Sequence, residues 1–313
     1  MAIAQFLAAS AVRVAGSLSP RWGAAVALPV FAHVATPHPV GPLDAATMWR
    51  AARSAVRVPG IERSGTDVTV YEWGSQRGEV VVLAHGWNGR AAQFATLVRE
   101  LVSEGYRVVA FDAPAHGDSS ARAAYIIDWV DTLGALQQRY GRFAAVVGHS
   151  FGGLATLIAT AHGVAAHRVV TVAAPADADL LLTQFQAMLG FDGRTAAELR
   201  TRFARRYFPR EGDPFAWLSS VRHPVPQATR LLVVHDEGDR VVPFAESARI
   251  ADANPSAQRL TPRGLGHSRI LQSDQFLDAV LDFLATPVPA DGPSIDEAES
   301  VVAAPGGVFA LAG

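Results

Sequence analysis

Ser150 lies in Gly148-His149-Ser150-Phe151-Gly152-Gly153, a G-x-S-x-G pentapeptide between an apolar run, Phe143 to Val147, and a helical stretch that continues from Leu154. A serine on such a strand-to-helix turn is held in a strained backbone conformation that needs small neighbours. Its hydroxyl then projects at the positive end of a helix. That hydroxyl is a weak nucleophile until a base takes its proton. Two later segments offer partners. Leu231-Leu232-Val233-Val234-His235 predicts a buried strand that runs into Asp236-Glu237-Gly238-Asp239, where three acids stand close together. Gly264-Leu265-Gly266-His267-Ser268 then puts a histidine in a flexible turn ahead of a helix. Of the ten histidines, only His267 follows the last predicted strand in a glycine turn, which makes it the candidate general base. A serine, an acid and a histidine in that chain order are the parts of an acyl-transfer site. Ser150 would attack an ester-type carbonyl, and His267 would take its proton and hand it to the leaving group.

Such a site needs a frame that gathers strand ends. Val68 to Trp73 alternates like an edge strand, and Val80–Ala84, Tyr106–Phe111, Phe143–Val147, His167–Val172 and Leu231–Val234 predict buried strands. Ala257–Thr261 predicts a short last strand, and helices are expected over about 92–104, 124–140 and 274–285. This alternation predicts an α/β fold with a doubly wound, mostly parallel sheet, which binds ligands at the carboxyl ends of its strands. Residues 1–60 are expected to form an N-terminal helical extension, with a helix across 44–56 and a break at Pro59-Gly60. The main domain is expected over 61–286, interrupted at about 176–226 by helical stretches near 178–190 and 195–208. Residues 287–313, rich in Pro, Ala and Gly, are expected to be a disordered tail.

Over roughly residues 66–286 the chain resembles the α/β-hydrolase superfamily. The likeness rests on His85-Gly86-Trp87, on the loop from Phe111 to Ser119, on the Ser150 turn, and on the segment from His235 to Pro243 with its D-x-x-V-P ending. The order nucleophile, acid, base is that superfamily's and differs from the chymotrypsin and subtilisin orders. The resemblance places the acid at Asp239, with Asp236 and Glu237 as turn residues. It implies an oxyanion hole made of the backbone N–H groups of Trp87 and Phe151. It also implies that the 176–226 insertion is a cap over the serine. Leu181, Leu182, Phe185, Met188, Leu189, Phe215 and Trp217 either line an acyl or alkyl pocket there or form the cap's own core. The implied activity is a carboxylesterase, with thioesterase, lactonase, amidase and perhydrolase as chemistries open to the same residues. A non-catalytic binding protein on the same fold is the rival reading.

Composition removes other classes. There is no cysteine and every basic residue is arginine, so thiol, Schiff-base and Ser-Lys chemistry are excluded. The formal net charge of −2 gives no basis for nucleic-acid binding. No metal-ligand spacing, G-x-G-x-x-G or P-loop is present, so no metal and no cofactor are expected. The expected partner is a small-molecule ester-type substrate with an apolar acyl or alkyl group. His85, His149, His235 and His116 are read as hydrogen-bonded supports. Arg194, Arg200, Arg202, Arg205, Arg206 and Arg210 are read as a solvated, partly salt-bridged face in preference to an anion site. The first residues lack the basic start of a signal peptide, and a cytoplasmic location is expected. Ile3, Phe6, Leu7 and Val14 fit one helical face, expected to pack on the domain rather than dock on a membrane surface.

Overall fold

The computed structural model describes residues 2–37, 39–61, 63–208 and 213–287. All but the first residue of the tail expected at 287–313 therefore lies outside the described residues, as does Arg210 of the arginine cluster. Two helices open the chain, α1 (Ala2–Leu18) and α2 (Pro20–Phe31), and α3 (Pro42–Trp49) follows. Both α2 and α3 begin on proline, whose fixed φ suits the first helical position.

The sheet has eight strands: β1 (Ala52–Val58), β2 (Thr66–Trp73), β3 (Val80–Ala84), β4 (Arg107–Asp112), β5 (Phe143–His149), β6 (Ala166–Val172), β7 (Arg230–Val234) and β8 (Gln258–Leu260). Their spatial order is β1-β2-β4-β3-β5-β6-β7-β8. β1 and β2 are antiparallel to their neighbours, and β3 to β8 are parallel. The helices between strands are α4 (Ala95–Ser103), α5 (Ile126–Tyr140), α6 (Phe151–Ala161), α7 (Ala178–Leu189), α8 (Gly193–Tyr207), α9 (Pro214–Trp217) and α10 (Ala245–Ala253). The short α11 (Gly266–Arg269) and then α12 (Asp274–Ala285) close the described chain.

The sheet is apolar on both faces because helices cover both. On β3, Val80, Val82 and Ala84 join one core, and Val81 and Leu83 join the other. On β4, Val109 and Phe111 face the first core and Val108 and Ala110 the second. The two-residue strand period thus divides one run of valines between two layers, as a doubly wound α/β fold requires.

Three local expectations are corrected. The helix foreseen across 44–56 stops at Trp49, and β1 takes over from Ala52. Pairing with β2 from Ala52↔Glu72 to Val58↔Thr66 supplies backbone hydrogen bonds that override the local helical preference of Ala51-Ala52-Arg53. Consequently Val68 to Trp73 is not an edge; β1 covers its outer side. Third, α1 packs by its small residues. Ala9 and Val12 are buried, whereas Phe6, Leu7 and Val14 face water; the side chain of Ile3 lies outside the described residues. A Cβ on Gly23 would lie 2.7 Å from Gly16 Cα and 2.8 Å from Thr195 Cγ2. Backbones of α1 and α2 therefore touch over α8, and only glycines permit that approach.

Candidate active site

Ser150 follows β5 and precedes α6, with φ 53° and ψ −120°. An L-residue is strained there, and the surroundings hold it in place. Its N–H donates to Val172 O at 2.7 Å, and its carbonyl accepts from Gly153 and Leu154 N–H at 2.9 and 3.1 Å. The hydroxyl makes no capping bond to α6, so an N-cap role does not explain this serine. Glycines at 148 and 152 are steric requirements: a Cβ on Gly152 would sit 2.3 Å from Ala84 O, and one on Gly148 2.5 Å from Gly152 O. Because the first of these clashes is with the backbone of β3, Gly152→Ala is expected to cost about 1–3 kcal/mol. Urea unfolding checks this, and an unchanged midpoint would contradict it.

His267 is on α11, reached from β8 through the Gly264–Gly266 turn. Its Nε2 is 3.0 Å from Ser150 Oγ, and its Nδ1–H donates to Asp239 Oδ2 at 2.7 Å. Asp239 follows β7, and its side chain is buried. Its Oδ1 accepts from Val241 and Val242 N–H at 2.7 and 3.0 Å. Burial alone would raise the Asp239 pKa, but hydrogen bonds from His235, His267 and Val241 N–H together outweigh it. They hold the carboxyl well below the usual carboxylate range. The rival acids do other work. Asp236 accepts from Gly238 and Leu265 N–H, both at 2.8 Å, tying the acid turn to the histidine turn, and Glu237 pairs with Arg263 at 2.7 Å.

Other histidines brace these loops. His85 Nδ1–H donates to Gly86 O at 2.7 Å while its Nε2 accepts from Ala113 N–H at 2.9 Å. His116 Nε2 accepts from Asn88 N–H at 3.1 Å. His235 Nε2–H donates to Val242 O at 3.1 Å. His149 Nε2–H donates to His267 O at 2.9 Å, and Gln93 Nε2 donates to His149 Nδ1 at 3.1 Å. Burial pushes the His149 pKa down to about 4. A lowered histidine pKa confines the charged form to pH below that value. His149 is therefore expected to stay neutral, with its proton on Nε2, from pH 8 to 5. Nitrogen-15 NMR of the ring checks it, and a titration near pH 6.5 would contradict it.

Beside the serine, Asn88 turns the chain with φ 56°, and Gly89 N–H closes on Gly86 O at 2.9 Å. A Cβ on Gly86 would come within 3.0 Å of Ser150 Cβ. Trp87, next in this turn, lies with its ring centroid 5.0 Å from that of Phe151. Phe151 is the first residue of α6, where N–H groups have no intrahelical acceptor. The cleft in front of Ser150 and His267 has a volume of about 290 Å³; Trp87, Asn88, Gln93, Ser268, Leu271 and Gln272 are among its lining residues. Sequence reasoning missed Gln93, Ser268, Leu271 and Gln272; only the Asn88-Gly89 pair carried a turn signal.

The apolar residues of the insertion lie elsewhere. Leu182, Phe185, Leu189 and Phe215 are buried in one cluster with Phe31 of α2 and Phe203 of α8. The ring of Phe31 lies 4.9 Å from that of Phe185, tilted, and meets that of Phe203 edge-on at 5.8 Å, so these side chains form the core between the insertion and the N-terminal helices. Met188 is exposed. Arg200 pairs with Asp179 and, at 3.3 Å, with Asp213, in keeping with a salt-bridged face. Among the described residues no group of three or more His, Asp or Glu side chains is placed to hold a metal ion.

The chain belongs to the alpha/beta hydrolase family, whose model matches residues 81–279. No curated protein matches it in sequence. Among solved structures it is similar to an esterase from Pyrococcus furiosus, at 20% identity and a TM-score of 0.58 over 80% of this chain and 98% of that one. It is similar to an esterase from Rhodococcus, at 21% identity and a TM-score of 0.54 over 75% of this chain and 98% of that one. A bromoperoxidase from Bacillus anthracis has the same TM-score of 0.54 at 19% identity, over 74% of this chain and 100% of that one. At such identities the likeness speaks for the fold. Family membership supports a hydrolase acting on a small-molecule substrate.

Proposed function

We propose that the protein is a serine hydrolase that cleaves carboxylic esters or thioesters through an acyl-enzyme on Ser150. The observation that carries this reading is the chain Ser150 Oγ to His267 Nε2 at 3.0 Å and His267 Nδ1 to Asp239 Oδ2 at 2.7 Å. Ser150 Oγ attacks the carbonyl carbon as its proton passes to His267 Nε2. Asp239, ionised, holds Nδ1–H and stabilises the imidazolium. The oxyanion forms against the N–H groups of Trp87 and Phe151, a donor pair of which each member typically contributes about 10²–10³ in rate. His267 then protonates the leaving alcohol or thiol, and the carbon–heteroatom bond breaks to leave the acyl-enzyme. Water, losing a proton to His267, attacks the acyl carbon; Ser150 Oγ recovers that proton and the carboxylic acid departs.

A cleft of about 290 Å³ is at the small end for ligand sites, which favours short acyl groups packed against Trp87 and Leu271. In this proposal the domain limit read at residues 60 and 61 moves ahead of β1, which pairs into the sheet, and the insertion at about 176–226 stands as a cap whose buried apolar side chains pack with those of the N-terminal helices. Mixing enzyme with excess p-nitrophenyl acetate tests the mechanism. Release of one p-nitrophenol per chain before the steady state is expected, and hydrolysis without a covalent acyl intermediate would overturn it.

A further inference from the structure

We propose that the α1–α2 helical pair is a docking surface for anionic phospholipid membranes. The amphipathicity of α1 is inverted with respect to its protein: Ala9 and Val12 point inward with Gly16 at the α2 contact, and the large apolar residues point out. Phe6, Leu7, Val14 and Leu18 of α1 and Trp22 of α2 are each 60–71% exposed. At helical spacing the four α1 residues share one face that bears no charge. Such a stripe normally faces a core, and a cluster of large apolar side chains left in water marks an interaction surface.

Charge selects the partner. The first acidic residue of the chain is Asp44, so α1 and α2 carry Arg13 and Arg21 and no acid, within a chain whose net charge is −2. Alongside α2, α8 adds Arg194, Arg202, Arg205 and Arg206 against the single acid Glu198, its Arg200 being paired with Asp179 and Asp213. Glu198 lies 3.9 Å from Arg21 in a solvent-exposed pair, a contact worth little energy that leaves the guanidinium accessible. Exposed apolar residues on a helix pair that also carries arginines and an exposed tryptophan match a headgroup boundary, where basic side chains meet lipid phosphates and indole rings prefer to lie. A second copy of the chain fits less well, since a two-fold contact through this face would bring two sets of arginines together. The helices would lie in the interface plane: none in the described residues is long and apolar enough to cross a membrane. This inference does not rest on the proposed esterase reading.

Flotation of the full-length protein with vesicles of phosphatidylglycerol and phosphatidylcholine tests it, with phosphatidylcholine vesicles alone as the contrast. Binding to the anionic vesicles, weakened by added salt, is expected. The double variant Leu7→Ser/Val14→Ser should bind at least about tenfold more weakly. Arg13→Glu/Arg21→Glu should lose the preference for anionic lipid. All four positions are on the surface, and unchanged thermal unfolding of each variant keeps the comparison valid. In case a variant does not fold, quenching of wild-type tryptophan fluorescence by brominated acyl chains gives a second readout, larger than in Trp22→Phe. Absence of wild-type binding, or equal binding by the variants, would overturn the proposal. So would self-association in lipid-free buffer that Leu7→Ser/Val14→Ser abolishes, which would make the face a contact between copies.

Discussion

Ser150→Ala is expected to lower kcat for ester hydrolysis by about 10⁶-fold while leaving the fold intact. The two effects separate because of what Oγ does and does not touch. Its hydrogen-bond partner is His267 Nε2, and it gives nothing to the first turn of α6. The turn itself is held by backbone bonds to Val172, Gly153 and Leu154, which alanine retains. The strained φ of 53° is retained too, since alanine carries the same Cβ. Stability should therefore stay within about 0.5 kcal/mol, the usual range for a change that opens no cavity and orphans no buried group. Steady-state kinetics beside thermal unfolding checks both halves. A variant that unfolds would assign Ser150 a structural role, and one that keeps its activity would remove it from the chemistry.

Asp239→Asn is expected to lower kcat by about 10⁴-fold, with KM changed far less. The geometry says why an isosteric change should matter so much. Val241 and Val242 N–H both donate to Oδ1, so the asparagine carbonyl must occupy that position. Its NH₂ group then stands where Oδ2 accepted the Nδ1–H of His267. Two donors cannot face each other, so His267 must move its proton to Nε2, the nitrogen that has to accept from Ser150. The variant holds its base in the wrong tautomer. Ring nitrogen-15 shifts of His267 would report the exchange directly. Full activity in Asp239→Asn would show that the carboxylate neither orients nor stabilises the histidine. Because hydrogen bonds hold the Asp239 pKa low, its own titration should not shape the activity profile at any working pH.

Most of the sheet was legible because its strands are short apolar runs set between helical stretches. Val80–Ala84 and Phe143–Val147 read as buried strands from their shortness and their valines, and the parallel order of β3 to β8 follows from alternation with helices. The candidate site was legible for a related reason: its turns demand particular residues. Gly148 and Gly152 stand where a Cβ would strike backbone or a buried side chain, and that demand is written in the sequence as a motif. Tertiary choices were not legible. Nothing local distinguishes the alanines and arginines of β1 from a helix; pairing with β2 decides it. In α1 the obvious apolar face is the wrong one, because Gly16, Gly23 and Thr195 set a close backbone crossing that draws the small residues inward. Gln93, Leu271 and Gln272 meet at the cleft from two segments far apart in the chain, and no local pattern signals such a meeting.

The most direct test of the central claim is labelling with a fluorophosphonate, which reacts only with a serine whose proton a neighbouring base can take. Intact wild type and Ser150→Ala would be treated side by side and digested, and the adduct located by mass spectrometry. One adduct per chain, on the peptide containing Ser150 and missing from the variant, is the predicted result. Folded protein that takes up no label, or label carried equally by Ser150→Ala, would contradict an activated nucleophile at Ser150.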